Sequence, residues 1–313
     1  MLEKMLTVSF LTALLSSGVR MAVPLMYAGL GEMVSEKSGV LNIGMEGVML
    51  CGAFFSFAAA YFTGNLALGL LGGMFAGVLV GLLHALLCVK GKQNQTVSGL
   101  AINMVGLGIT SYLYKLMCNS FSHMQIDVLP QVNIPLLCDI PVIGPAFFQQ
   151  DLLAYIAYVL LIAAFVFYRY TRLGLNMAAI GEKPMAADAA GIPVERSQWI
   201  ACAINGLLGG AGGAYMIIAQ LGMFSDNMTA GRGYIALAVV ILGRYSPIGV
   251  FLAALLFGVA NGAQIRLQAL GVELPMQLLA MLPYVITLVA LLMTAGRSRE
   301  PESLAKPYIR GGR

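Results

Sequence analysis

The sequence predicts an all-α polytopic membrane bundle of about 8–10 transmembrane helices, two of them short or broken and arranged in a weak internal repeat. Three observations predict it. The 313-residue chain is 59% hydrophobic and only 10% charged, with a mean hydropathy of +0.84, so it carries more apolar surface than one soluble core can hide. Uncharged stretches long enough to cross hydrocarbon recur, from Gly47 to Val89, Gln198 to Met223, Ser246 to Ile265 and Leu274 to Gly296. These runs are continuous rather than alternating, which suits helices and excludes a β-barrel.

In chain order, ten hydrophobic segments stand out: about 3–17, 20–34, 43–62, 66–89, 95–117, 152–169, 196–220, 231–244, 248–269 and 275–295. The first is read as a membrane helix rather than a secretory signal, because no small-residue cleavage site ends it and Arg20 follows at once. The second and eighth are short for a crossing, which takes about 20 residues. Each lies beside a polar, glycine-containing break, Ser35 to Gly44 and Asp226 to Gly233. Interrupted segments in corresponding places of two halves are the pattern of a transporter built from repeats. SGVLNIGMEGVML and TAGRGYIALAVVIL share a glycine pair followed by an apolar helix. In the fourth segment Gly69, Gly73, Gly77 and Gly81 fall on one helix face, and the seventh carries Gly206, Gly209, Gly210, Gly212 and Gly213. Such small faces let helix backbones approach in lipid.

Charge position sets the expected topology of this single transmembrane domain, residues 1–313. No Lys or Arg falls between Lys115 and Arg169, whereas Asp127, Asp139 and Asp151 do; basic residues cluster at Lys90 and Lys92, from Arg169 to Arg196 and from Arg297 to Arg313. The positive-inside rule then makes the 119–150 loop external, and the 171–196 loop and 297–313 tail cytoplasmic. With ten crossings, both termini are expected in the cytoplasm. The net charge of +4 reports topology and implies no nucleic-acid partner. Arg20 and Glu273, near predicted outer ends, read as snorkelling groups. The five cysteines show no CxxC pair and read as small apolar fillers, except that Cys118 and Cys138 share an external loop where a bridge is permitted.

Within the predicted spans the polar exceptions are Asn42, Glu46, Asn103, Asn205, Gln220, Asn261 and Gln264. A charge at the bilayer centre costs at least about 2.5 kcal/mol, so Glu46 must face protein or water. Amides donate and accept hydrogen bonds at once, which suits either a path for a neutral polar solute or glue between helices. Asp226 and Arg232, at the second break, are expected to pair with each other or with freed backbone carbonyls. The candidate solute pathway is therefore Asn42, Glu46, Asn103, Asn205, Gln220, Asp226 and Arg232.

Several chemistries are excluded. No GxxxxGK[ST] phosphate loop occurs, so no ATPase site is expected in this chain. With two histidines and neither HExxH nor GxSxG, no metal, zinc-protease or serine-hydrolase site is supported. The segment MAAIGEKPMAADAAG has helix formers on both sides of a Gly181 to Pro184 break, with Gly191 as a stop. An exposed alanine-rich helix with few charges suits a groove on another protein.

SEKSGVLNIGMEGVMLCGA, GLNMAAIGEKPMAADAAGI and MTAGRGYIALAVVILGRYSPIG together resemble the signature regions of membrane permeases of ABC importers, in the branched-chain amino acid and ribose permease superfamily. Within it the sequence is most similar to the shorter permease subunit of nucleoside importers. The resemblance runs from about Val19 to Met293. It implies that Ala178 to Gly191, including Gly181, Glu182, Pro184, Ala187 and Asp188, form a coupling helix that docks into an ATP-binding subunit. It also places Gly39 to Glu46 and Thr229 to Tyr234 beside the translocation path. The implied partners are that ATPase, which holds ATP and Mg, a second and different permease chain, and a substrate-binding lipoprotein outside a bacterial plasma membrane. A sugar or a branched-chain amino acid as solute, or an ion-coupled secondary transporter, are the alternatives.

Overall fold

Where the sequence reading sets two segments, at 3–17 and 20–34, the protein forms one 29-residue helix, α1 (Val8–Glu36). The computed structural model describes residues 8–121, 124–135, 137–138, 140–269 and 300–310, with isolated positions between 281 and 292. Gly18, which falls between those two segments, is a packing residue: a Cβ there would lie 2.9 Å from the Val259 Cα of a later helix. Arg20 does not snorkel, since its guanidinium donates to the carbonyl of Ala219. With both features engaged by neighbouring helices, the helix runs on to Glu36, three residues before left-handed Gly39, at φ 86°.

The helices that follow match the expected segments closely, and their caps explain their ends. Helix α2 (Met45–Thr63) stops at left-handed Gly64. Asn65 then caps α3 (Leu66–Ala85), accepting from the amides of Ala67 and Leu68, and a π turn carries the chain on to Lys90. Asn94 caps α4 (Gln95–Ser120) in the same way. In the 119–150 loop a short strand β1 (Gln131–Asn133), a turn of helix α5 (Ile143–Phe148) and strand β2 (Gln149–Asp151) form a small antiparallel pair. Asp151 caps α6 (Leu152–Tyr170) with one carboxylate oxygen and accepts the Tyr215 hydroxyl at 2.7 Å with the other. After α6 come α7 (Arg172–Glu182) and α8 (Pro184–Ala189), the central α9 (Val194–Tyr215) with its π extension to Leu221, short α10 (Arg232–Leu242) and α11 (Pro247–Ala269). The tenth predicted span, 275–295, lies almost wholly outside the described residues, and Glu273 lies wholly outside them.

Among the described residues seven helices are long and apolar enough to cross a membrane, and the chain is a multi-pass membrane protein. Helix α9 runs through the middle, packed on α1, α2 and α3. Its glycines face different neighbours. A Cβ on Gly206 or Gly210 would strike the carbonyl of Gly77 or Gly73 in α3 at 2.3 and 2.4 Å, while one on Gly213 would meet the Met49 carbonyl of α2 at 1.9 Å. Two helix backbones, α2 and α3, thus touch α9 directly, a packing that only glycine on those faces permits. Cys118 and Cys138 are free thiols, as are Cys51, Cys88 and Cys202.

The merging of the first two segments changes the topology. Gln150 Nε2 donates to the carbonyl of Ser16 at 3.3 Å, so the first turns of α1 lie at the end of the bundle that bears the 119–150 loop. Ser303 donates to the carbonyl of Gly181, so residues 300–310 lie at the other end, beside α7 and α8. The described ends of the chain therefore lie at opposite ends of the bundle.

Candidate functional site

Between α1 and α2 the backbone leaves helical geometry from Lys37 to Gly44 while staying buried. Unpaired backbone groups at membrane depth cost several kcal/mol each, and side chains from four helices meet that demand. Glu32 of α1 accepts from the Asn42 amide at 2.9 Å, Gln95 of α4 accepts from the Leu41 amide at 2.7 Å, His84 of α3 meets the Leu41 carbonyl at 3.0 Å, and Gln198 of α9 donates to the Ser38 carbonyl at 3.2 Å. Asn42 folds back to accept from Gly44 and donates through Nδ2 to Asn205 Oδ1 at 2.7 Å. Asn205 in turn donates to Glu32 at 2.6 Å. Asn42 and Asn205 thus belong to one buried cluster centred on Glu32, a residue absent from the sequence-based list.

Glu46, in the first turn of α2, joins the first break to the second. One carboxylate oxygen accepts from the Thr229 hydroxyl at 2.5 Å and the Gly231 amide at 2.8 Å; the other accepts from the Gly233 amide at 2.6 Å. These amides are orphan donors at the start of α10, where an anion is favoured both by hydrogen bonding and by the helix dipole. Gly233 has to be glycine here, because a Cβ would lie 2.3 Å from the Glu46 nitrogen. Asn103 of α4 braces the same corner: it accepts from the Gly47 amide at 2.7 Å and donates to the Ile43 carbonyl and the Tyr234 hydroxyl, each at 2.9 Å.

Beside this corner opens a cavity of about 250 Å³ lined by Glu46, Asn103, Asn227, Gly231 and Tyr234, with apolar walls from Leu50 and Leu107. Asn227 and Tyr234, like Thr229, are polar groups that the sequence-based list did not single out, although all three fall within the break and helix start it marked. Arg232 donates to the Met228 and Thr229 carbonyls at 3.1 and 3.4 Å, as expected of carbonyls freed by the break. Asp226 is exposed on the same loop. Gln220 stands apart: it donates to the Arg20 carbonyl at 2.8 Å, near the middle of α1, and so ties the π extension of α9 to α1.

Helices α7 and α8 form a bent pair. Thr171 caps the first, and Gly191, at φ 82°, stops the second, as the sequence predicts. Met177, Ile180, Gly181 and Ala187 point inward, Ala178 and Pro184 are half-buried, and Glu182, Lys183, Met185, Ala186 and Gly191 are exposed. Asp188 is engaged within the chain, by Arg310 at 3.3 Å. The pair abuts the end of α1, where Lys37 donates to the Tyr245 carbonyl at 3.2 Å and lies over the Tyr168 ring. Burial pulls the Lys37 amine below the usual lysine range, and the nearby Glu182 carboxylate partly offsets this.

Comparison with known proteins gives this geometry its class. Residues 14–292 match the family described as the branched-chain amino acid transport system permease component. The chain belongs to this permease family. It is 38% identical to the guanosine ABC transporter permease protein NupQ of Bacillus subtilis, over 98% of this chain and 99% of that one. It is 36% identical to the nucleoside ABC transporter permease protein NupC of Lactococcus lactis, over 92% and 94% of the two chains. A putative glucose ABC transporter permease of Haloferax volcanii is also 36% identical, over 85% and 81%. The first two bacteria each also have a second permease of the same description, 26% identical to this permease. No solved structure matches.

Proposed function

We propose that this permease is one of two different membrane subunits of an ATP-driven importer in a bacterial plasma membrane, and that its solute is a nucleoside delivered by an external binding lipoprotein. The observation that carries the reading is the cavity beside Glu46. The carboxylate is spent on Thr229, Gly231 and Gly233 and the Asn103 amide on Gly47, Ile43 and Tyr234, so the polar groups left to a solute are the neutral Asn227 amide and the Tyr234 phenol. A neutral polar molecule with several donors and acceptors fits such a lining; an ion does not. The full-length similarity to guanosine and nucleoside permeases supports the same class, and the paired permeases of those bacteria support a second chain.

In this reading the 119–150 loop and the start of α1 face outward, while α7, α8 and residues 300–310 face the cytoplasm. The exposed side of Glu182, Met185, Ala186 and Gly191 meets the ATP-binding subunit, which holds ATP and Mg. Gly181 and Ala187, turned inward, seat the helices on the bundle. Displacement of this docking pair on ATP binding biases the bundle between two arrangements, with the solute exposed to one side in each.

The test is uptake of labelled guanosine into vesicles holding the assembled transporter and its binding protein. ATP-dependent uptake that excess glucose does not compete is expected. Glucose competition would move the solute to the sugar class, and uptake driven by a sodium or proton gradient without ATP would overturn the reading.

A further inference from the structure

Residues 300–310 have no place in the solute path, yet they are fastened to it through the docking helices. The Gly181 carbonyl is one of the terminal acceptors of α7 that the helix itself leaves unpaired. It takes both the amide and the hydroxyl of Ser303, at 2.9 and 2.6 Å, and the hydroxyl also lies 3.2 Å from the Ile180 carbonyl. Farther along, the buried Tyr308 ring packs with Ile180, Ala187 and Val194, filling the space between α7, α8 and the start of α9. Arg310 pairs with the Asp188 carboxylate of α8 at 3.3 Å. The Ala187 side of α8 is thus covered by Tyr308.

The same segment touches the first break. A Cβ on Gly181 would lie 2.3 Å from the Lys37 carbonyl and 3.3 Å from Pro301 Cβ, and one on Gly39 would lie 2.8 Å from the Ser303 hydroxyl. The end of α7, the turn after α1 and residues 301–303 therefore meet with no room between them. A few residues beyond that turn are Asn42, bonded to Glu32 and Asn205, and then Glu46, bonded to the start of α10. A close-packed joint passes displacement on rather than absorbing it.

We propose that residues 300–310 are a positioning strap, with Ser303 and Tyr308 as its two fasteners, that locks the docking helices to the end of α1 and carries their displacement to the 37–44 break. The proposal rests on the reading of α7 and α8 as the ATPase-docking pair, and the experiment separates the two.

Hydrogen–deuterium exchange is measured on the assembled transporter, nucleotide-free and trapped with ATP and vanadate. In the unaltered protein, trapping changes exchange at both 178–191 and 37–44. In Tyr308→Ala, and in a chain ending at residue 299, the response at 178–191 persists while that at 37–44 falls several-fold. Tyr308→Phe, which keeps the ring, restores it. Should the shortened chain fail to assemble, Tyr308→Ala alone decides. An undiminished response at 37–44 in Tyr308→Ala overturns the strap, as does a 37–44 segment that never responds in the unaltered protein. If 178–191 is itself silent to nucleotide, the docking reading fails first and takes the strap with it.

Discussion

The two breaks solve the same problem in different ways. The first, Lys37 to Gly44, is nearly closed to solvent, holds its backbone with side chains from α1, α3, α4 and α9, and needs one left-handed residue, Gly39. The second, ahead of α10, exposes Ser225, Asp226 and Asn227 and puts Asn227, Ala230 and Gly231 in the left-handed region, where a residue with a Cβ is strained. One carboxylate, Glu46, supplies most of its long-range hydrogen bonds. The contrast supports reading one break as an anchor, braced at many points so that it passes displacement on as a unit, and the other as a hinge pinned at a single point.

Four substitutions test that comparison, from the largest effect to the smallest. Asn205→Leu leaves Glu32 buried with one fewer donor and Asn42 without its acceptor. A loss of about 3 kcal/mol is expected, the lower end for breaking a buried charged network, read as a fall in thermal stability in detergent. Glu46→Ala strips three donors of their acceptor, but the adjacent cavity reaches Gly231 and admits water to the space the carboxylate leaves. The stability loss should be smaller, about 2 kcal/mol, while uptake falls by more than tenfold. If the two substitutions exchange these profiles, the assignment of anchor and hinge is reversed. Gly233→Ala forces a methyl against the Glu46 backbone and should cost about 1–3 kcal/mol, with uptake following Glu46→Ala. Tyr234→Phe removes one interhelical hydrogen bond, worth about 0.6 kcal/mol in a membrane. It should leave stability almost unchanged and raise the solute concentration needed for half-maximal uptake.

Much of this was legible in the sequence. Asn42, Glu46 and the glycines around them mark the first break and Asp226 to Gly233 the second, because a polar residue beside glycine in an apolar chain has few other uses, and Gly191 stops α8 as expected. Glu32 was missed for a physical reason. It sits four residues before Glu36 at the end of an apolar run, where glutamates usually reach water, and only the arrival of Asn205 from α9 makes it a buried acceptor. Gly18 and Arg20 misled in the opposite direction, since their satisfaction by Val259 and Ala219 lies more than a hundred residues away in the chain.

The sequence by itself determined that this is a helical membrane protein, roughly where its spans begin and end, and where the backbone is interrupted. Those features depend on apolar length and on caps within a few residues, which are local properties. Tertiary structure alone decided that α1 is continuous, that Glu46 closes the start of α10, and that the C-terminal segment grips α7 and α8. Each of these joins groups far apart in the chain, and buried polar groups pair with whatever helix packing brings within hydrogen-bonding distance.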